Sequence, residues 1–161
     1  VMIDAIITSI PLYDLGEIWV SDDILNKSGK LTDEEFESMK RHVERGSEIV
    51  SEIMTNMHDE FYVEVAKQVA QYHHERWDGS GYMEHLKGKK IPLPARIIAV
   101  ADVFNALVSN KAYRDGMSID DAFTIIKNGR GKLFDKSIVN AFLDGENSIR
   151  KIAMRYSGNK N

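Results

Sequence analysis

From Phe36 onward, apolar residues return every three or four positions, at Phe36, Met39, Val43, Gly46, Val50 and Ile53. Residues so spaced share one face of an α-helix, whereas a half-buried strand alternates at every second position. A helix with one apolar stripe must bury it against other helices or a sheet. No alternating segment is present to build a sheet, so the chain reads as all-α. Thr32-Asp33-Glu34-Glu35 is a capping box that opens this helix, expected over about 32–55. Tyr62, Val65, Ala66, Val69 and Ala70 line a second helix, over about 60–74. A short helix within about 2–13 is bent or broken near Pro11. After the turn residues Asp78-Gly79-Ser80-Gly81, Pro94 suits the first turn of a nearly continuous apolar helix over about 95–109. Further helices are expected at about 118–128, 135–144 and 146–156. One helical domain over about 1–156, with a frayed tail at 157–161, follows.

Composition removes several chemistries. With 161 residues, the chain is long enough to fold without a disulfide or structural metal. It has no cysteine, which excludes disulfides, cysteine zinc sites, iron–sulfur clusters and thiol catalysis. A net charge of −4 offers no basic footprint for duplex nucleic acid. No apolar run approaches the ~20 residues of a membrane span. Val1 to Ile10 lacks the basic flank and cleavage site of a signal peptide. The expectation is a soluble, cytoplasmic protein with no membrane partner.

Polar residues stand where polarity is costly. Asp102 lies among Ile98, Val100, Val103 and Phe104. A buried carboxylate needs a cation or several hydrogen bonds, so Asp102 is either a hydrogen-bonded core residue or a metal ligand, with Asn105 on the same face in support. His73 and His74 continue the apolar positions Val69 and Ala70 one turn on. His42 borders the stripe of its own helix, and Asp14 follows an apolar run and precedes Leu15-Gly16. Two carboxylates and three imidazoles suit Fe, Mn, Zn, Ni or Co better than Mg or Ca. His58 and His85 lie in loops without pattern and read as structural or solvated.

Gln71-Tyr72-His73-His74-Glu75-Arg76-Trp77-Asp78-Gly79-Ser80-Gly81-Tyr82 resembles the HHExWDGxGYP motif of the HD-GYP family. The likeness continues through Leu86-Lys87-Gly88, Ile91-Pro92-Leu93, Ala95 to Val103 and Tyr113-Arg114. The family is a bacterial branch of the HD phosphohydrolases. Its members are helical, bind two or three metal ions, often iron or manganese, and hydrolyse cyclic di-GMP. The resemblance implies an HD-type helical bundle, here without the family's upstream helix. It implies that Asp14 bridges two metals, that His42, His73 and His74 hold the second, and that Asp102 holds the first. Arg96, Arg114, Lys111 and Tyr82 match positions that contact nucleotide phosphates or shape the pocket. The mechanism the resemblance implies is in-line attack on phosphorus, with metals stabilising the attacking and leaving oxygens.

Departures from the family pattern bear on activity. Tyr13 stands where the HD motif has His, and a phenol with an ordinary pKa near ~10 is a reluctant ligand at neutral pH. Glu17 stands where the family has Lys, so a cation near phosphate becomes an anion. Glu17 is either a replacement ligand or catalytic group beside Asp14, or a solvated helix-end residue. Met83 replaces the Pro of GYP, Asn105 stands where Asp is usual, and Leu133 stands at a His position. Two readings stay open. One is a catalytically impaired domain that binds a nucleotide or a signalling partner, of GGDEF type or another. The other is an active phosphodiesterase with a remodelled metal site, releasing linear pGpG or GMP.

Overall fold

The capping box forms as its sequence predicts. The Thr32 hydroxyl accepts from the Glu35 N–H, and the Glu35 carboxylate accepts from the Thr32 N–H. In the computed structural model, which describes residues 1–110 and 116–156, this box starts α3 (Asp33–Lys40). Before it come α1 (Met2–Ser9), a 3-10 turn at Leu15–Trp19 and the short α2 (Asp22–Leu25). After it come α4 (His42–Ile53), α5 (Glu60–Tyr72), α6 (Leu93–Val108), α7 (Ile119–Asn128), α8 (Lys136–Asp144) and α9 (Glu146–Tyr156). Among the described residues all regular structure is helical, and the β-bridge between Arg130 and Phe134 is isolated. Lys111, Tyr113 and Arg114, and the tail expected to fray at 157–161, lie outside the described residues.

One expected helix is two. The run read as a single helix over about 32–55 breaks at Arg41. His42 is only 2% exposed and sets its Nδ1 against the Met39 carbonyl at 2.7 Å. A continuous helix would leave this imidazole at the margin of the stripe, whereas the break seats it in the interior. Phe36, at the head of the stripe, is left 45% exposed, while Val43 and Val50 are fully buried.

Three apolar clusters hold the helices together. Val50 of α4 and Met54, the residue that caps it, pack on Ala66 and Ala70 of α5. Ala5 and Ile6 of α1 pack on Val65 and Val69 of α5 and Ile98 of α6. Val100 and Phe104 of α6 join Phe123, Ile126, Phe134 and Val139 in the C-terminal half. Helix α6 therefore serves both halves. It is not buried all round, as its apolar sequence suggests. Ala101 and Asn105 are exposed and Asp102 is half-buried, because α6 is covered only on the sides that face the two cores. Among the described residues no helix is long and apolar enough to cross a membrane.

Candidate metal centre

One glycine sets how closely two parts of the centre approach. A Cβ on Gly16 would lie 1.8 Å from the His42 carbonyl oxygen and 2.6 Å from the Gly46 nitrogen. Only glycine lets the 3-10 turn lie so tightly on α4. That contact delivers Asp14, the residue before the turn, to His42 at the start of α4. The C-terminal end of α5 brings His73, its cap residue, and His74 to the same place.

One ligand atom each from Asp14, His42, His73 and His74 meets the other three within 4.8 Å. Asp14 Oδ1 lies 3.2 Å from His73 Nε2 and 3.6 Å from His42 Nε2. Each of these imidazoles is oriented from behind. His42 Nδ1 faces the Met39 carbonyl, and His73 Nδ1 faces the Val69 and Ala70 carbonyls at 2.9 and 3.1 Å. A carbonyl can only accept, so Nδ1 carries the proton, and in the neutral ring Nε2 is left with a lone pair. Asp14 Oδ1, His42 Nε2 and His73 Nε2 are all buried without a hydrogen-bond partner. Each such atom costs about 1–3 kcal/mol while unsatisfied. Three lone pairs aimed at one point are satisfied together by a cation, and a backbone acceptor behind each imidazole is the usual support of a metal-bound His. The donor set therefore fits a metal ion.

Electrostatics favour the metal-binding forms. Burial, with His73 and His42 close by, drives His74 down to about 2. Burial also holds His42 below its ordinary value, against the opposing effect of its bond to Met39. Neutral imidazole is the form that ligates. Tyr13 behaves differently. Its hydroxyl donates to Asp102 Oδ1 at 2.8 Å, and its ring stands edge-on to His73 at 4.9 Å. Burial and the carboxylates of Asp102 and Asp14 push the phenol far above its ordinary range, so it keeps its proton. Asp102 thus reaches the centre through Tyr13 and does not join the four mutually close ligand atoms. Asn105 faces solvent and bonds Ser109.

Tyr82 lies at the rim, stacked on His74 at 5.0 Å, and Phe36 meets it edge-on at 5.9 Å. Burial and the charge of Asp14 raise the Tyr82 phenol, and Glu17 adds to the effect, which sets Glu17 near the same rim. Two contributors escaped sequence reasoning. Phe36 heads the apolar stripe, yet it is 45% exposed and meets Tyr82 instead of the core. Glu75 carried no assigned role, yet it is 3% exposed and its carboxylate accepts from the Glu84 and Leu86 N–H groups at 2.8 and 3.0 Å. It clasps the loop that carries Tyr82. Arg96 is held by partners of its own. Its guanidinium pairs with Asp135 at 2.5 Å, donates to the Ile91 carbonyl and covers Trp77, bracing the loop against α8. The Leu133 carbonyl accepts from Trp77 N–H, and its side chain packs on the C-terminal core. His58 and His85 are exposed, and Arg114 and Lys111 fall outside the described residues.

The family model described as HD domain matches residues 7–138. The chain belongs to that family. The curated relatives place this HD domain in the HD-GYP branch. A protein of Vibrio cholerae named cyclic di-GMP phosphodiesterase is 40% identical over 96% of this chain and 31% of its own length. A cyclic di-GMP phosphodiesterase response regulator of Xanthomonas campestris is 42% identical over 91% of this chain and 38% of its own length. The HD-GYP domain thus spans about a third of the length of these relatives. The crystal structure of a cyclic GMP-AMP specific phosphodiesterase of Vibrio cholerae shares its fold, with a TM-score of 0.59 over 93% of this chain and 42% of that one, at 20% identity.

Proposed function

We propose that this HD-GYP domain is a metal-dependent phosphohydrolase module that takes cyclic di-GMP or a related cyclic dinucleotide and turns it over slowly or not at all. The convergence of Asp14, His42, His73 and His74, with buried lone pairs aimed at one point, carries this reading. The names of the relatives supply the ligand class. The nitrogen-rich donor set suits Fe or Mn, with Zn and Ni also accommodated. When bound, such an ion supplies Lewis acidity toward phosphoryl oxygens and favours ionisation of water.

The chain's own residues support the reading of slow turnover. Asp14 and the three imidazoles would hold the ion, and Tyr82 and Phe36 offer aromatic faces to a base at the rim. Tyr13 keeps its proton on Asp102, where the family pattern has an imidazole. Glu17 sets a negative charge near the rim where the pattern has a positive one. A unit charge at ~4 Å is worth about 1 kcal/mol even in water, and the swing is two units. Loss of one electrostatic stabiliser typically costs ~10²–10³ in rate. The domain then serves as a binding module, in the cytoplasmic setting and with the signalling partner, of GGDEF type or another, that the family implies.

An active phosphodiesterase is the second reading, favoured by 40% identity across 96% of this chain to a protein that bears that name. The test is hydrolysis of cyclic di-GMP with added Mn or Fe, followed by separation of linear and mononucleotide products. Little or no product is expected from the unaltered chain, and a gain from the double change Tyr13→His with Glu17→Lys. Brisk hydrolysis by the unaltered chain would favour the second reading.

A further inference from the structure

We infer that the centre holds a single metal ion, because Tyr13 closes the position beside it. This rests on the metal-binding reading above and concerns only the number of ions. Asp14, His42, His73 and His74 bring one ligand atom each to a common point, and Asp14 Oδ1, His42 Nε2 and His73 Nε2 are unsatisfied there. One ion satisfies them all, since four donors with room for water make a complete shell. A second ion would sit ~3.5–4 Å from the first and needs donors of its own. The family pattern gives that ion to Asp102, and here the Asp102 Oδ1 already accepts the Tyr13 hydroxyl at 2.8 Å. The Tyr13 ring itself stands against the centre, edge-on to His73 at 4.9 Å. Tyr13 is thus a neutral stopper that satisfies Asp102 by a hydrogen bond where an ion would have done so by charge.

Metal content tests this without any nucleotide. The chain is stripped with a chelator, reloaded with excess Mn(II), dialysed and analysed by mass spectrometry, and its electron paramagnetic resonance spectrum is recorded. A single ion per chain, without the spin coupling of a Mn pair, is expected. Tyr13→His frees Asp102 and adds a donor, so a second ion and a coupled signal should appear. Should Tyr13→His fail to fold, Asp102→Asn decides. It keeps an oxygen for the Tyr13 hydroxyl, so Mn affinity should stay within about twofold, whereas Asp14→Asn should lose the ion. Two ions in the unaltered chain would overturn the inference, as would a tenfold loss of affinity in Asp102→Asn. So would a folded Tyr13→His protein that still holds a single ion. Two ions with slow hydrolysis would sink only the ion count. A single ion with brisk hydrolysis would sink only the slow-turnover reading.

Discussion

At the scale of single residues, the buried carboxylate of Glu75 shows how a motif residue works without touching the centre. Its two oxygens hold the N–H groups of Glu84 and Leu86, nine and eleven residues further on, and the ring of Tyr82, two residues before Glu84, stacks on His74. Glu75→Gln replaces one acceptor oxygen by an NH₂ group facing a backbone donor. It should cost about 1–3 kcal/mol in urea unfolding, because a buried donor is left unmatched. A loss below about 0.5 kcal/mol, the level of an ordinary surface change, would mean that the loop stands without this clasp. None of this was legible in the sequence, since bonds from a helix end into an irregular loop leave no periodicity. His73 and His74 were legible, because they continue the helix register. The relation of His73 to Val69 persists as a hydrogen bond to the Val69 carbonyl even though α5 ends at Tyr72.

At the scale of elements, the decisive contact joins the 3-10 turn to α4. Gly16→Ala places a methyl group on the His42 carbonyl oxygen, so the turn must lift away and carry Asp14 with it. Overpacking of this kind costs about 1–3 kcal/mol, and metal affinity should fall with it. Gly46→Ala is the control. Its Cβ meets its nearest neighbours at 3.4–3.7 Å, and alanine is favoured inside a helix. Thermal melting and Mn titration of both variants should therefore separate them, with Gly16→Ala the worse in each. If the two behave alike, the close approach does not set the geometry of the centre. Helix starts with side-chain caps, at Thr32 and Ser118, were readable from local sequence. The break at Arg41 was not. Apolar spacing runs straight through it, and what accompanies it, the burial of the His42 imidazole, is a tertiary event.

At the scale of the whole molecule, two depressed imidazoles make stability depend on acid. His42 and His74 are held below the ordinary value of 6.5, chiefly by burial. The unfolded chain takes up protons near that value, and the folded chain refuses them until lower pH. Between the two, the unfolded state binds more protons, so stability falls as pH falls. Well above 6.5, by about a pH unit, both states are neutral at these sites and the contribution is fully present. The melting temperature should therefore drop steadily from about pH 7.5 to about pH 5, each group adding up to ~1.4 kcal/mol per pH unit. A flat or rising profile would show that these rings are already charged in the fold.

The two imidazoles that bracket Asp14 are both built on helix ends. His42 is the first residue of α4, and His73 caps the last turn of α5. Helix ends are where helices open first, and local opening there takes far less energy than unfolding the domain. The donor atoms therefore stand on the parts of their helices with the weakest intrinsic hold. A cation that gathers them also pins those ends shut, and an end that frays releases its share of the cation. Occupancy and terminal order are two faces of one equilibrium.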